Sequence, residues 1–237
     1  MNVETAIRRP APVKLTVTDF RLLKRAGVFA GYSKSELLDG KLWGAPVQGE
    51  DEPESDAVHP IKLRVEDYLR LHEAGALDKY GRTELIDGAI YAMNPQHRPH
   101  VRIKSELAFR LRLALEAIGS TLFVGIEGTV AMPPNDAPEA DIIVTSEPEG
   151  EGPFPVSSIA LLAEVADAPI RLDLGQAHRY AAHGVPETWI VDVKGTAIHR
   201  LWSPTAEGYA QRDEVRFGER IEAVTIKGLT VATDGLR

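Results

Sequence analysis

The pattern of apolar and polar positions predicts few helices and many strands. Across residues 99–118 the apolar side chains Val101, Ile103, Leu107, Leu111, Leu115 and Ile118 recur at a mostly helical spacing, and Gly119 follows as a C-terminal stop. Residues 140–145 (ADIIVT), 159–165 (IALLAEV) and 188–193 (TWIVDV) are short continuous apolar runs, the mark of strands buried on both faces. Residues 121–132 predict a further strand, and Pro133, Pro134 and Pro138 frame the loop after it. A short amphipathic helix is predicted over 173–183, ended by Gly184. Residues 198–202, 209–215 and 225–231 read as strands of an antiparallel meander. Together these elements predict an α/β fold, a mixed β-sheet flanked by helices.

The N-terminal part carries an internal repeat. Residues 14–48 and 62–96 align without gaps at a constant offset of 48 positions, with Lys14/Lys62, Asp19/Asp67, Gly27/Gly75, Tyr32/Tyr80, Glu36/Glu84, Asp39/Asp87, Gly40/Gly88 and Gln48/Gln96 identical. Each copy predicts a helix (18–26 or 66–74), a Gly-centred loop and a hairpin. The hairpin turn is Asp39-Gly40 or Asp87-Gly88, a strong two-residue turn signal. Residues 49–58 (GEDEPESDAV) are acidic and lack periodicity, so they predict a solvated linker. The expected organisation is an N-terminal extension over 1–58 that carries the duplicate helix-hairpin unit, then a main domain over 59–237.

Composition narrows the function classes. Of 237 residues, 43% are hydrophobic and 26% charged, ample for a folded core. The net charge is −8, so the long-range field repels phosphate and any nucleic-acid contact needs a local basic patch or metal ions. The chain has no cysteine, which excludes disulfides, thiolate metal sites and a cysteine nucleophile. No apolar run is long enough for a membrane span, and the first residues lack the apolar core of a signal peptide, so a cytoplasmic protein without a membrane partner is expected. Arg98, Arg102, Lys104, Arg110 and Arg112, with His97 and His100, form the densest positive stretch. They suit phosphate contact. They equally suit a solvated helix face on which Glu106 and Glu116 supply the opposite charge.

Three carboxylates accompany apolar strands: Asp141 opens ADIIVT, Glu164 closes LLAEV, and Glu84 lies on the first strand of the second hairpin. An acid at the end of a buried strand is costly unless it is paired or bound to a cation. Two such acids from neighbouring strands suit Mg²⁺ or Mn²⁺, which can polarise a phosphoryl oxygen and activate a bound water. Strand-end acids that face solvent or cap loops give the same pattern. The histidines form no metal cluster, and no HExxH, phosphate-binding GxxxxGK[ST], dinucleotide GxGxxG or GxSxG pattern occurs.

The stretches ELIDGAIYAMNPQHRPH, PEADIIVT, LLAEVADAPIRLD and RYAAHGVPETWIVDV, in this order and spacing, resemble the Uma-type restriction endonuclease family. That family belongs to the PD-(D/E)XK nuclease superfamily with its restriction-endonuclease-like core. The resemblance covers roughly residues 62–215. It implies that Asp141, in Pro138-Glu139-Ala140-Asp141, and Glu164 bind the metal, with the Val165 carbonyl as a further ligand and Glu84 as a supporting acid. His100 matches a frequent family histidine. The place of the usual active-site lysine, four residues before Tyr180, holds Gln176, which carries no charge. Arg98, His100, Arg102 and Lys104 become the expected nucleic-acid contacts.

Two functional expectations follow. One is a metal-dependent endonuclease that hydrolyses DNA phosphodiester bonds with Mg²⁺ or Mn²⁺ at Asp141 and Glu164. The other, motivated by Gln176, is a catalytically inactive binding or assembly module on the same fold. Cutting both strands needs two sites, so a homodimer is expected.

Overall fold

The computed structural model describes residues 11–47, 57–166 and 171–236. They form two compact units. One comprises the described residues up to Asn94 together with Met132–Pro138, and the other comprises Pro95–Ala131 and the described residues from Glu139 onward.

In the first unit the elements are β1 (Ala11–Pro12), α1 (Val17–Arg25), β2 (Tyr32–Leu38), β3 (Lys41–Pro46), β4 (His59–Pro60), α2 (Val65–Glu73), β5 (Thr83–Ile86) and β6 (Ala89–Ala92). Both helices begin one residue before the predicted start, because an acid in the first turn caps them. Asp19 accepts the Thr16 backbone N–H at 2.7 Å, and Asp67 accepts that of Arg64 at 3.1 Å. The turns close as the sequence predicts. Asp39 and Gly40 have φ of 47° and 76°, and Asp87 and Gly88 have φ of 49° and 74°. Two successive positive φ values are what a two-residue hairpin with strand-compatible twist demands. The strands form two three-stranded sheets, ordered β1-β6-β5 and β2-β3-β4. The predicted acidic linker lies, apart from Ala57 and Val58, outside the described residues.

In the second unit the elements are α3 (Arg98–Ala117), β7 (Phe123–Ala131), β8 (Glu139–Thr145), β9 (Phe154–Pro155), β10 (Ile159–Ala166), α4 (Arg171–Ala182), β11 (Glu187–Asp192), β12 (Ala197–Thr205), β13 (Gly208–Arg216), β14 (Arg220–Glu222) and β15 (Thr230–Ala232). A seven-stranded mixed sheet runs β13-β12-β11-β10-β8-β7-β9. β10 and β11 pair in parallel because α4 carries the chain across between them. The period-2 alternation of β10 and β11 divides the core. Leu161, Ala163, Val165, Trp189 and Val191 pack with Ile103, Leu107, Leu111 and Leu115 of α3. Ala166 and Ile190 pack instead with Ala177 of α4 and with Leu201. Among the described residues no helix is long and apolar enough to cross a membrane.

The third meander strand expected over 225–231 does not form. β12 and β13 pair as predicted, but only Thr230–Ala232 is strand, and it pairs with β14 in a separate two-stranded sheet. The reason is Glu187, whose side chain is fully buried. Its Oε2 accepts the N–H groups of Val224 and Thr225, each at 2.8 Å, and the Thr225 hydroxyl at 2.9 Å. Its Oε1 accepts the Trp189 indole N–H at 2.7 Å. These donors fix residues 224–225 as a turn of chain around a carboxylate, so they cannot join a ladder. Glu187→Ala removes the acceptor of the buried Trp189 indole N–H and of the Val224 and Thr225 amides. It is expected to lower stability by on the order of 3 kcal/mol, read as a fall in the urea midpoint, whereas Glu187→Gln retains part of the network and loses less.

Candidate active site

Strand register builds a row of carboxylates in the second unit. β8 and β10 run antiparallel with Ile142 opposite Ala163, so Asp141 and Glu164 come next to each other one step further along. On the other side of β8, Ile126 faces Ile142 and Gly128 faces Ala140, which places Glu127 of β7 opposite Asp141. Glu127, Asp141 and Glu164 therefore lie in one line across three neighbouring strands. Glu127 sits at φ 55°, a left-handed backbone that a strand residue seldom adopts.

Asp141 and Glu164 are both buried, at 9% and 7% exposure. They are cross-tied. The Asp141 N–H donates to Glu164 Oε2 at 3.3 Å, and the Val165 N–H donates to Asp141 Oδ2 at 2.9 Å. His100 Nε2 lies 3.0 Å from the same Asp141 oxygen. Burial pushes the Asp141 carboxyl up, but the hydrogen bond and charge of His100, the Val165 N–H and the Lys104 ammonium outweigh it and hold the carboxyl below its ordinary value of 3.8. The Tyr180 hydroxyl donates to Glu164 Oε1 and receives the Gln176 amide N–H at 2.8 Å. Gln176 thus reaches the acids through one tyrosine.

Lys104 is only 2% exposed. Its ammonium donates to Gln96 Oε1 at 2.6 Å, pairs with Glu127, and lies 3.6 Å from Asp141 Oδ1. A buried ammonium demands such counter-charge. Of the four expected nucleic-acid contacts, Lys104 and His100 are buried. Both lie on the buried stripe of α3 with Ile103, Leu107 and Leu111 and turn inward. Arg98 and Arg102 are exposed. Arg110 is engaged with Glu106 and with the carbonyls of Ala232 and Asp234. Glu84 is buried on β5 in the other compact unit.

The structure thus brings Asp141, Glu164, His100 and Lys104 together, with Gln176 one residue removed. Sequence reasoning did not single out Glu127 and Tyr180, which lie beside these residues, nor the burial of Lys104 among the acids. A signal for Lys104 was present, since positions 100, 104, 107 and 111 follow the spacing of the apolar stripe. None existed for Glu127, whose place depends on the register of β7 against β8.

Among the described residues no three His, Asp or Glu side chains form a ready set of metal ligands. The pair Asp141 and Glu164 nevertheless suits a hard divalent ion, which takes one or two carboxylates and completes its shell with water. Asp141 Oδ1 is the less tightly held of its two oxygens. Its protein contacts are long, with the Gln96 amide at 3.4 Å and Lys104 at 3.6 Å.

Helices on both faces of a mixed sheet, with acids at adjacent strand positions, give the second unit the restriction-endonuclease-like α/β fold. The chain belongs to the Uma2 family, described as "Putative restriction endonuclease", whose model matches residues 65–234. It is similar in fold to the crystal structure of "a putative nuclease belonging to DUF820" from Anabaena variabilis ATCC 29413, with a TM-score of 0.51 and 14% identity over 68% of this chain and 89% of that one. No curated protein matches the chain.

A depressed carboxyl links the site to stability. The contribution of Asp141 is complete above its unfolded-state value and is lost as pH falls through the lower folded-state value. Asp141→Asn is expected to lower stability at pH 7 by on the order of 2 kcal/mol, with the gap to wild type closing below about pH 4. Denaturant midpoints of both proteins across pH 2–7 check this, and a gap unchanged at the acid end would rule out the charge as its source.

Proposed function

We propose that this protein is a metal-dependent endonuclease that hydrolyses DNA phosphodiester bonds, with Asp141 and Glu164 holding Mg²⁺ or Mn²⁺. The observation that supports this best is the adjacency of these two buried carboxylates on β8 and β10, cross-tied by the Asp141 and Val165 amides. Family membership supports the nuclease class. When bound, such an ion polarises a phosphoryl oxygen and makes a water more acidic.

The chain's own residues have separable tasks in this reading. His100 and the Val165 N–H hold Asp141 ionised and fixed in direction. Tyr180 orients Glu164, and Gln176 orients Tyr180. Gln176 brings no charge, so the positive group beside the reacting phosphate is the Lys104 ammonium, 3.6 Å from Asp141. Two acids and a phosphodiester repel one another, and a fixed ammonium at that position offsets the repulsion. Arg98 and Arg102, exposed at the start of α3, supply contacts to the nucleic-acid backbone that the net charge of −8 would otherwise disfavour.

One observation favours a second reading. Asp141 is already paired with His100 and Lys104, an arrangement that leaves the acid satisfied without an ion. On that reading the fold is a catalytically inactive binding or assembly module.

The test combines activity with ion binding. Wild type is expected to nick supercoiled DNA only with Mg²⁺ or Mn²⁺, and Glu164→Ala to reduce nicking below detection without unfolding. Lys104→Met is expected to slow it by about 10²–10³, and Gln176→Lys to accelerate it. Millimolar Mn²⁺ is expected to raise the melting temperature of wild type but not of Asp141→Ala. Equal melting of the two with Mn²⁺, together with no metal-dependent nicking, would leave the module reading standing.

A further inference from the structure

The two copies in the first unit are not merely alike. Each completes the other's sheet. The leading strand of the first copy, β1, pairs with the hairpin of the second, with Pro12 opposite Tyr91. The leading strand of the second copy, β4, pairs with the hairpin of the first, with Pro60 opposite Trp43. Pro12 and Pro60 occupy equivalent places in the repeat, as do Trp43 and Tyr91. The next backbone bond is matched as well. The Val13 N–H donates to the Ile90 carbonyl at 2.8 Å, and the Ile61 N–H donates to that of Leu42 at 2.9 Å.

Contacts within each copy repeat just as closely. Lys14 pairs with Asp39 at 2.7 Å, and Lys62 pairs with Asp87 at 2.5 Å. The Leu15 N–H meets the Gly40 carbonyl and the Leu63 N–H the Gly88 carbonyl, both at 3.0 Å. Gly40 and Gly88 are held to glycine by the same close approach. A Cβ would meet Lys14 Cβ at 2.6 Å in one copy and Lys62 Cβ at 2.5 Å in the other. A reciprocal exchange in which segment i of one unit meets segment j of the other, and j meets i, is the definition of an isologous two-fold interface.

We propose that the first copy is a tethered second subunit. It fills, within one molecule, the isologous surface of residues 59–94, and the partner which that surface fits is another copy of the same helix-hairpin unit. Each copy alone leaves its hairpin with an unpaired edge, a row of N–H and C=O groups that demands a strand. The exchange satisfies both edges at once. Residues 48–56 join the copies, and a short tether gives an effective concentration of order millimolar, so a second molecule at micromolar concentration does not compete. The proposal concerns assembly and stands whether or not the protein is a nuclease. It is separate from the homodimer expected from the need for two cutting sites, which would have to use another surface.

The absence of cysteine makes the test direct. Two double variants, Pro12→Cys/Tyr91→Cys and Trp43→Cys/Pro60→Cys, place thiols across the two exchanged ladders. Each is mixed as equal parts of ¹⁴N- and ¹⁵N-labelled full-length chain, treated with a short bis-maleimide, and its cross-linked peptides are weighed by mass spectrometry. Both pairs are expected to cross-link, with peptides of a single isotope at low and high micromolar protein alike. Pairing between chains would instead give about half hybrid peptides. Hybrids at that level, or cross-linking of one pair without the other, overturns the proposal. The unsubstituted chain gives an independent reading by amide hydrogen exchange. Val13 and Ile61 are both expected to be protected by more than about 100-fold, and unprotected exchange at either overturns it.

Discussion

The candidate site depends on one constraint, a carboxylate kept ionised where little water reaches it. Asp141 lies inside a central strand at 9% exposure, and its own burial opposes its charge. Three kinds of donor reverse that: the imidazole of His100, the amide of Val165 and the ammonium of Lys104. Two come from α3 and one from β10, so the position of α3 against the sheet, the register of β10 on β8 and the geometry of the site are one problem. Losing one of these donors removes part of the compensation of a buried charge, which is a larger penalty than losing a surface pair.

Helix α3 serves both packing and chemistry. Its buried stripe carries Ile103, Leu107 and Leu111 into the core and, at the same spacing, His100 and Lys104 into the acids. A lysine in an apolar stripe is expensive unless its head finds counter-charge, and Glu127 and Asp141 provide it. The same arrangement explains how a site with an uncharged glutamine at position 176 still holds a positive group close to Asp141. It also explains why the basic stretch around α3 is not one surface. Arg98 and Arg102 face outward, Lys104 and His100 face in, and Arg110 fastens the C-terminal segment.

Glu187 shows the same logic used for architecture rather than chemistry. Its fully buried carboxylate is satisfied by two backbone amides, a hydroxyl and an indole, all neutral donors. It shapes residues 224–225 into a loop and diverts the last predicted meander strand into the small β14–β15 sheet. Asp141, held partly by cations, and Glu187, held by dipoles, are therefore different kinds of buried acid.

The amino-acid sequence by itself determined most of the elements, because periodicity, caps and turn chemistry are local. The apolar runs of β8, β10 and β11, the long helix of α3, and the Asp-Gly turns with their paired positive φ values were all legible. The repeat at 48 positions was legible too. The adjacency of Asp141 and Glu164 was readable only as a prospect, since the two lie 23 residues apart. Tertiary structure alone decided the rest. Glu127 enters the row through strand register, Tyr180 links Gln176 to Glu164 through the placement of α4, and β1 pairs with β6 from the far side of the repeat. Which side chains meet across a sheet or between a helix and a strand depends on non-local hydrogen bonds and packing, and no local pattern encodes them.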